Sequence, residues 1–178
     1  MSTYKNLIGK DVNFLTTDPD NDAAEGQIWY NSTDGAFKSV VGGEAWSAGS
    51  NMITARNSLG SFGIQTASVT TGGNTTPANT NVTEEYNGSG WSNGTNYPAS
   101  LRWPEGTGTL TAGIVAGGGP TLVTTVNKYD GTSWTSANSL PTATNAGAMF
   151  GVQTSCVYAL GYTGSNTCLL YTSPSPRD

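Results

Sequence analysis

Residues 62–73 read FGIQTASVTTGG, and TEEYNGSGW follows at residues 83–91. The pattern returns as GTLTAGIVAGG, residues 108–118, followed by VNKYDGTSW, residues 126–134. A third opening, FGVQTSCVYALG, spans residues 150–161 without a comparable Tyr and Trp segment after it. Trp46, Trp91 and Trp134 stand 45 and 43 residues apart, and Tyr86 and Tyr129 are 43 apart. A fixed period of this size marks a repeat architecture, in which each unit buries its apolar face only against its neighbours.

Inside each period the order is constant. A polar loop follows the tryptophan (SAGSN, SNGTN, TSANS), then a short apolar or proline step at Met52-Ile53, Tyr97-Pro98 or Leu140-Pro141. A Gly-rich strand is expected to end at the doublet Gly72-Gly73, Gly117-Gly118 or Leu160-Gly161, where glycine permits a tight bend. Asn87-Gly88 and Asp130-Gly131, set between β-formers, predict hairpins that place Tyr86 beside Trp91 and Tyr129 beside Trp134. Ala67, Ala112 and Ser155 are read as small residues where strands crowd around an axis. No stretch has helical periodicity, so the expected fold class is all-β with about four short strands per period, the content of a propeller blade.

The chain resembles kelch-type repeats over residues 42–162. That pattern is a hydrophobic run, a Gly-Gly doublet, then Tyr and Trp a few residues apart, often with an Arg before the run. Val69, Gly72-Gly73, Tyr86 and Trp91 supply it with Arg56 upstream, and Ile114-Val115, Gly117-Gly118, Tyr129 and Trp134 supply it with Arg102 upstream. Thr144 stands where a third Arg is expected, and Leu160 where a first Gly is. The resemblance implies an incomplete kelch-like β-propeller of about two full blades and a partial one, at residues 42–166. Propellers host many activities, so fold alone does not assign function.

Residues 1–41 fall outside the repeat. Glu25–Tyr30, the turn Asn31–Gly35 and Ala36–Val41 predict a small N-terminal hairpin. The leader LIGKDVNFLTTDP and the EGQIWYN strand resemble N-terminal segments of bacteriophage virion and tail proteins. Residues 167–178 break the period, and CLLYTSPSPRD resembles a translated sequencing-library adapter, so they are set apart as a non-native tail. On that reading the repeat is truncated, and two blades and a part cannot close a ring.

Charged residues make up only 11% of the 178, the net charge is −5 and no basic cluster exists, which argues against nucleic-acid or anionic-membrane binding. No apolar run spans a bilayer, and the first residues lack the apolar core of a secretory signal. With no histidine, Ser-His-Asp and Cys-His catalysis and a copper site of the galactose-oxidase kind are unsupported. Cys156 reads as a buried small residue, and two cysteines form no disulfide framework.

Asp18–Asp22 lacks the Gly and Glu of a calcium loop, Ala23 and Trp29 standing there instead, and reads as a solvated acidic turn. Glu44, Glu84, Glu85 and Glu105 are the carboxylates a glycosidase pair would draw on, but Glu84-Glu85 aligns with Asn127-Lys128 and reads as exposed. Trp103, in Arg102-Trp103-Pro104-Glu105, is the one candidate binding residue: an exposed aromatic face there can stack on a sugar ring, or else pack under its own loop. The expectation is a non-enzymatic, cofactor-free and metal-free component of a virion, contacting host glycans or other virion proteins. The alternatives are a bacterial envelope or extracellular kelch-type binding protein, and a fragment of a carbohydrate-active enzyme whose catalytic residues are missing from it.

Overall fold

The computed structural model describes residues 13–19, 27–39 and 46–173. Fourteen strands in four sheets, with no helix among the described residues, make the protein all-β. The chain divides into two compact units, residues 1–48 and 49–178.

In the first unit β1 (Asn13–Leu15) pairs in parallel with β2 (Ile28–Asn31), which pairs antiparallel with β3 (Ala36–Ser39). The β2–β3 hairpin is the expected one, and β1 adds a strand that the local pattern does not announce. Asn31 builds the turn, its Oδ1 accepting the backbone N–H groups of Thr33 and Asp34 at 2.9 and 3.0 Å. Asp18 is exposed, as a solvated turn residue is, but its carboxylate is paired. Its carboxylate accepts from Trp29 Nε1 at 2.9 Å, Asn31 Nδ2 at 2.7 Å and Lys38 Nζ at 2.7 Å. Led by Lys38, these donors lower its pKa to about 2. Asp20–Asp22 and Glu44 lie outside the described residues. Trp46, the first tryptophan of the period, is fully exposed.

The second unit contains three successive sheets. The first is β4 (Gly60–Ile64), β5 (Ala67–Thr71), β6 (Thr83–Tyr86) and β7 (Trp91–Asn93); the second is β8 (Glu105–Thr109), β9 (Ala112–Ala116), β10 (Val126–Tyr129) and β11 (Trp134–Ser136). Each is an antiparallel meander in chain order. The third has three strands, β12 (Ala148–Val152), β13 (Ser155–Ala159) and β14 (Leu170–Ser173). FGIQTASVTTGG is thus two strands and a two-residue turn at Gln65-Thr66, not one Gly-rich strand. Ala67 and Ala112 are half-buried and Ser155 is exposed, so crowding at an axis does not explain their size. Residues 170–173, within the segment set apart above, occupy the third-strand place by pairing with β13, using backbone groups that non-proline residues supply.

Tyr86 opposes Trp91 and Tyr129 opposes Trp134, with ring centroids 5.1 and 4.5 Å apart, as the hairpin chemistry predicts. Asp130 caps its turn by accepting the N–H groups of Ser133 and Thr132, which hold its carboxyl well below the ordinary range.

The first strands β4, β8 and β12 neighbour one another, so consecutive sheets pack against each other there. Between the first two sheets Phe62 lies over Gly113 and Gly106; a Cβ on Gly113 would come within 2.1 Å of the Phe62 ring. Tyr129 and Trp134 meet that ring edge-on at 6.4 and 6.2 Å, and Val69, Tyr97, Leu101 and Val115 complete the cluster. Between the second and third sheets the sizes are exchanged. Thr107 takes the place of Phe62, Met149 that of Gly106 and Cys156 that of Gly113, and Thr107 Oγ1 donates to the Gly151 carbonyl at 2.7 Å. Close packing tolerates such a swap when the total volume across the interface is kept. Cys156 is buried and unbridged, as expected.

The interiors of the two four-stranded sheets differ in chemistry. In the first, Glu84 is fully buried, which corrects its reading as exposed. Arg56 Nη1 donates to Glu84 Oε1 at 2.9 Å and Nη2 to Thr70 Oγ1 at 3.0 Å, while the Ile53 and Thr54 N–H groups donate to the same carboxylate. In the second, Asn127 takes the place of Glu84 and donates Nδ2 to the Tyr97 hydroxyl at 2.8 Å.

Candidate functional site

The strand directions give the second unit two ends. One carries the tight turns at Gln65-Thr66, Leu110-Thr111 and Gln153-Thr154; the other carries the glycine doublets and the segments leading into β4, β8 and β12. At the doublet end the backbone repeats closely. Asn57 and Asn74 exchange N–H···O bonds at 3.1 and 2.8 Å, Arg102 and Gly119 at 2.9 and 2.7 Å, and Asn145 and Tyr162 at 3.2 and 2.9 Å. Gly72, Gly117 and Leu160 hold φ of 67°, 69° and 63°, a left-handed conformation that explains the glycine preference and leaves Leu160 strained.

These pairings change one equivalence inferred from sequence. Asn57, Arg102 and Asn145 occupy one place, so Arg56 corresponds to Leu101 and Thr144, not to Arg102. Arg56 is an interior ion-pair partner, whereas Arg102 belongs to the surface layer.

The residues one step on form a relay. Ser58, Trp103 and Ala146 all adopt left-handed backbone, with φ of 56°, 56° and 51°. The Trp103 N–H donates to the Ser58 carbonyl at 2.7 Å, and the Ala146 N–H donates to the Trp103 carbonyl at 3.3 Å. Three successive sheets are tied at one backbone position that displays a different side chain each time. Trp103 is therefore held from both sides, not carried on a free loop. Its side chain is half-buried, and the Arg102 guanidinium carbon lies 4.0 Å from the ring centroid. The stack fixes the indole plane through a cation–π contact worth about 0.5–1 kcal/mol at a partly exposed site.

Asn57 and Asn74 form one of the flanking doublet-end pairs, Tyr162 belongs to another, and Glu105 follows Trp103 by two residues. Asn74 Nδ2 donates to Asn79 Oδ1 at 3.0 Å, and Tyr162 is 45% exposed. Glu105 begins β8, and burial raises its carboxyl to about 7. No donor meets the Glu105 carboxylate among the described residues. Glu84 is held by Arg56, and Glu85 accepts from the Tyr129 hydroxyl, so neither is a free second carboxylate. The doublet end thus offers an aromatic plane held in place with a guanidinium stacked on it.

The remaining sequence-derived positions are structural. Gly72, Gly73, Gly117 and Gly118 bend the doublets, and Tyr86, Trp91, Tyr129 and Trp134 form the outer strand pairs. Asn57, Asn145 and Tyr162 were not singled out from sequence. Their signal is positional, polar or aromatic residues recurring at the period beside the doublets.

No protein-family model matches the chain, and no curated protein shows significant similarity to it.

Proposed function

We propose that the three sheets are blades of an incomplete kelch-like β-propeller, and that the chain is a non-enzymatic binding component of a phage virion or tail fibre. The doublet end around Trp103 is its contact surface for a host glycan or another virion protein. The observation that carries this reading is the relay of Ser58, Trp103 and Ala146. One rigid backbone place presents three unrelated side chains, which separates scaffold from recognition. The Arg102–Trp103 stack supports a sugar ligand, because an indole plane fixed in advance loses little entropy on binding. The virion assignment rests on the likeness of residues 7–31 to phage leaders, and the kelch assignment on the doublets with their Tyr and Trp.

A glycan array probed with the full chain tests the surface. Trp103→Ala should weaken the strongest hits by about ten-fold or more, the loss of about 1.4 kcal/mol of contact. Because the relay uses only backbone atoms of residue 103, the variant should retain its β-sheet circular dichroism. Unchanged binding by a folded Trp103→Ala variant overturns the assignment of this surface.

A further inference from the structure

Arg102 and Asn145 occupy the same place in successive repeats, and Trp103 follows the first of them. Gly119, the backbone partner of Arg102, takes the place that Asn74 and Tyr162 fill in the sister pairs. Its φ lies outside the left-handed region, so the backbone itself does not demand glycine there. Space demands it instead. A Cβ on Gly119 would stand 2.8 Å from Asn145 Nδ2 and 3.6 Å from Trp103 Cε3. The missing side chain lets a carboxamide and an indole from neighbouring repeats close over one point.

Two polar side chains at this point are unmet. Asn145 is only 5% exposed, yet no partner meets its carboxamide among the described residues, and neither carboxamide atom is sealed from solvent. A side chain buried to that degree ordinarily has its donors and acceptors satisfied. Arg102 Nε is sealed without a partner, while both Nη groups keep contact with solvent and are unpartnered among the described residues. Lys38 and Arg56 are each held by a carboxylate, and among the described residues none meets Arg102. Its stack on Trp103, at 4.0 Å, fixes the guanidinium in direction. From residue 57 to residue 127 Arg102 is the only cationic side chain, so this stretch offers a single positive charge. One guanidinium fork matches a carboxylate in shape and charge, whereas a phosphate monoester carries about −1.5 to −2.

We propose that the Trp103 surface binds a sugar that carries a carboxylate, a uronic or sialic acid residue of a glycan. The carboxylate accepts from the Nη groups of Arg102, the apolar face of the ring lies against the indole, and the Asn145 carboxamide bonds a sugar hydroxyl. This rests on the reading of the doublet end as a glycan contact and narrows its ligand to acidic glycans.

The test is biolayer interferometry of the full chain on immobilised polygalacturonate, alginate and polysialate, each beside its methyl ester. Saturable binding to at least one acidic polymer is expected, about ten-fold or more weaker for its ester, which keeps the ring and masks the charge. Arg102→Gln should bring acid and ester to equal affinity, and Trp103→Ala should weaken both. The free sugar acid should compete, and inorganic phosphate at the same concentration should not. If circular dichroism shows that Arg102→Gln does not fold, the comparison of acid with ester on the unaltered chain decides the matter. Equal binding of acid and ester, weakened for both by Trp103→Ala, overturns the carboxylate assignment and leaves the glycan surface standing. Acid-selective binding that Trp103→Ala leaves unchanged overturns the surface as well. No saturable binding to any acidic polymer, or competition by phosphate equal to that of the sugar acid, also overturns the proposal.

Discussion

Exchanging the packing of one sheet interface for that of its sister tests whether the three sheets share one geometry. Phe62 fills the space left by Gly113 and Gly106, whereas at the next interface the corresponding places hold Thr107, Cys156 and Met149. Phe62→Thr alone removes a buried ring and leaves a void against two glycines. Large-to-small changes of this size cost about 3–5 kcal/mol for Phe→Ala, and threonine retains part of that, so a loss of about 3 kcal/mol is expected. Gly113→Cys alone sets a Cβ 2.1 Å from the ring, so the ring must move, at an overpacking cost of about 1–3 kcal/mol. In the double variant the cysteine occupies part of the void, and the hydroxyl introduced in place of the Phe62 ring can donate to the Gly108 carbonyl as Thr107 does to Gly151. The double variant should be more stable than the sum of the singles implies by about 2 kcal/mol, within the range for residues in contact. Urea unfolding followed by tryptophan fluorescence measures it, since Trp134 borders Phe62. Additivity to within about 0.5 kcal/mol refutes equivalent interfaces.

Three further outcomes follow from the same structure. Glu84→Gln leaves the Arg56 charge buried without its counter-ion, and urea midpoints should show a loss of about 3–5 kcal/mol, which Arg56→Met in the same background partly restores. Leu160→Gly relieves a left-handed leucine at φ 63°; after the added freedom of the unfolded chain is set against it, thermal unfolding should show a gain of about 0.5–1 kcal/mol. Glu105 is raised from 4.5 to about 7 by burial, so the folded state holds its proton more tightly than the unfolded state does. Stability should be fully present below pH 4.5 and fall as pH rises toward 7, by about 1–2 kcal/mol once solvent screening of the half-buried carboxyl is allowed for. Glu105→Gln should flatten that part of a stability–pH curve.

The parts legible in sequence are those set by neighbouring residues along the chain. Asn87-Gly88 and Asp130-Gly131 specify turns through backbone preference, and the turns bring Tyr86 to Trp91 and Tyr129 to Trp134 wherever the hairpin sits. The glycine doublets report the left-handed bend directly, and the period tells how many times the unit recurs. The all-β class and the strand pairs follow from such local chemistry.

Side-chain environments followed other rules. Glu84 and Asn127 share a place in the repeat, yet whether that place is exposed depends on Arg56 and Tyr97, residues 28 and 30 positions away. Arg56 and Arg102 look like copies by spacing and prove to be one position apart, because only the cross-chain bonds to Asn74 and Gly119 set the register. Trp103 looks free in a proline-containing loop until the carbonyl of Ser58 and the amide of Ala146 fix it from neighbouring sheets. By itself the sequence determined the unit, its turns and its recurrence, since short-range backbone energetics decide them. Which polar groups are buried and which interface is filled by an aromatic ring were decided by packing between units, a sum over residues far apart in the chain.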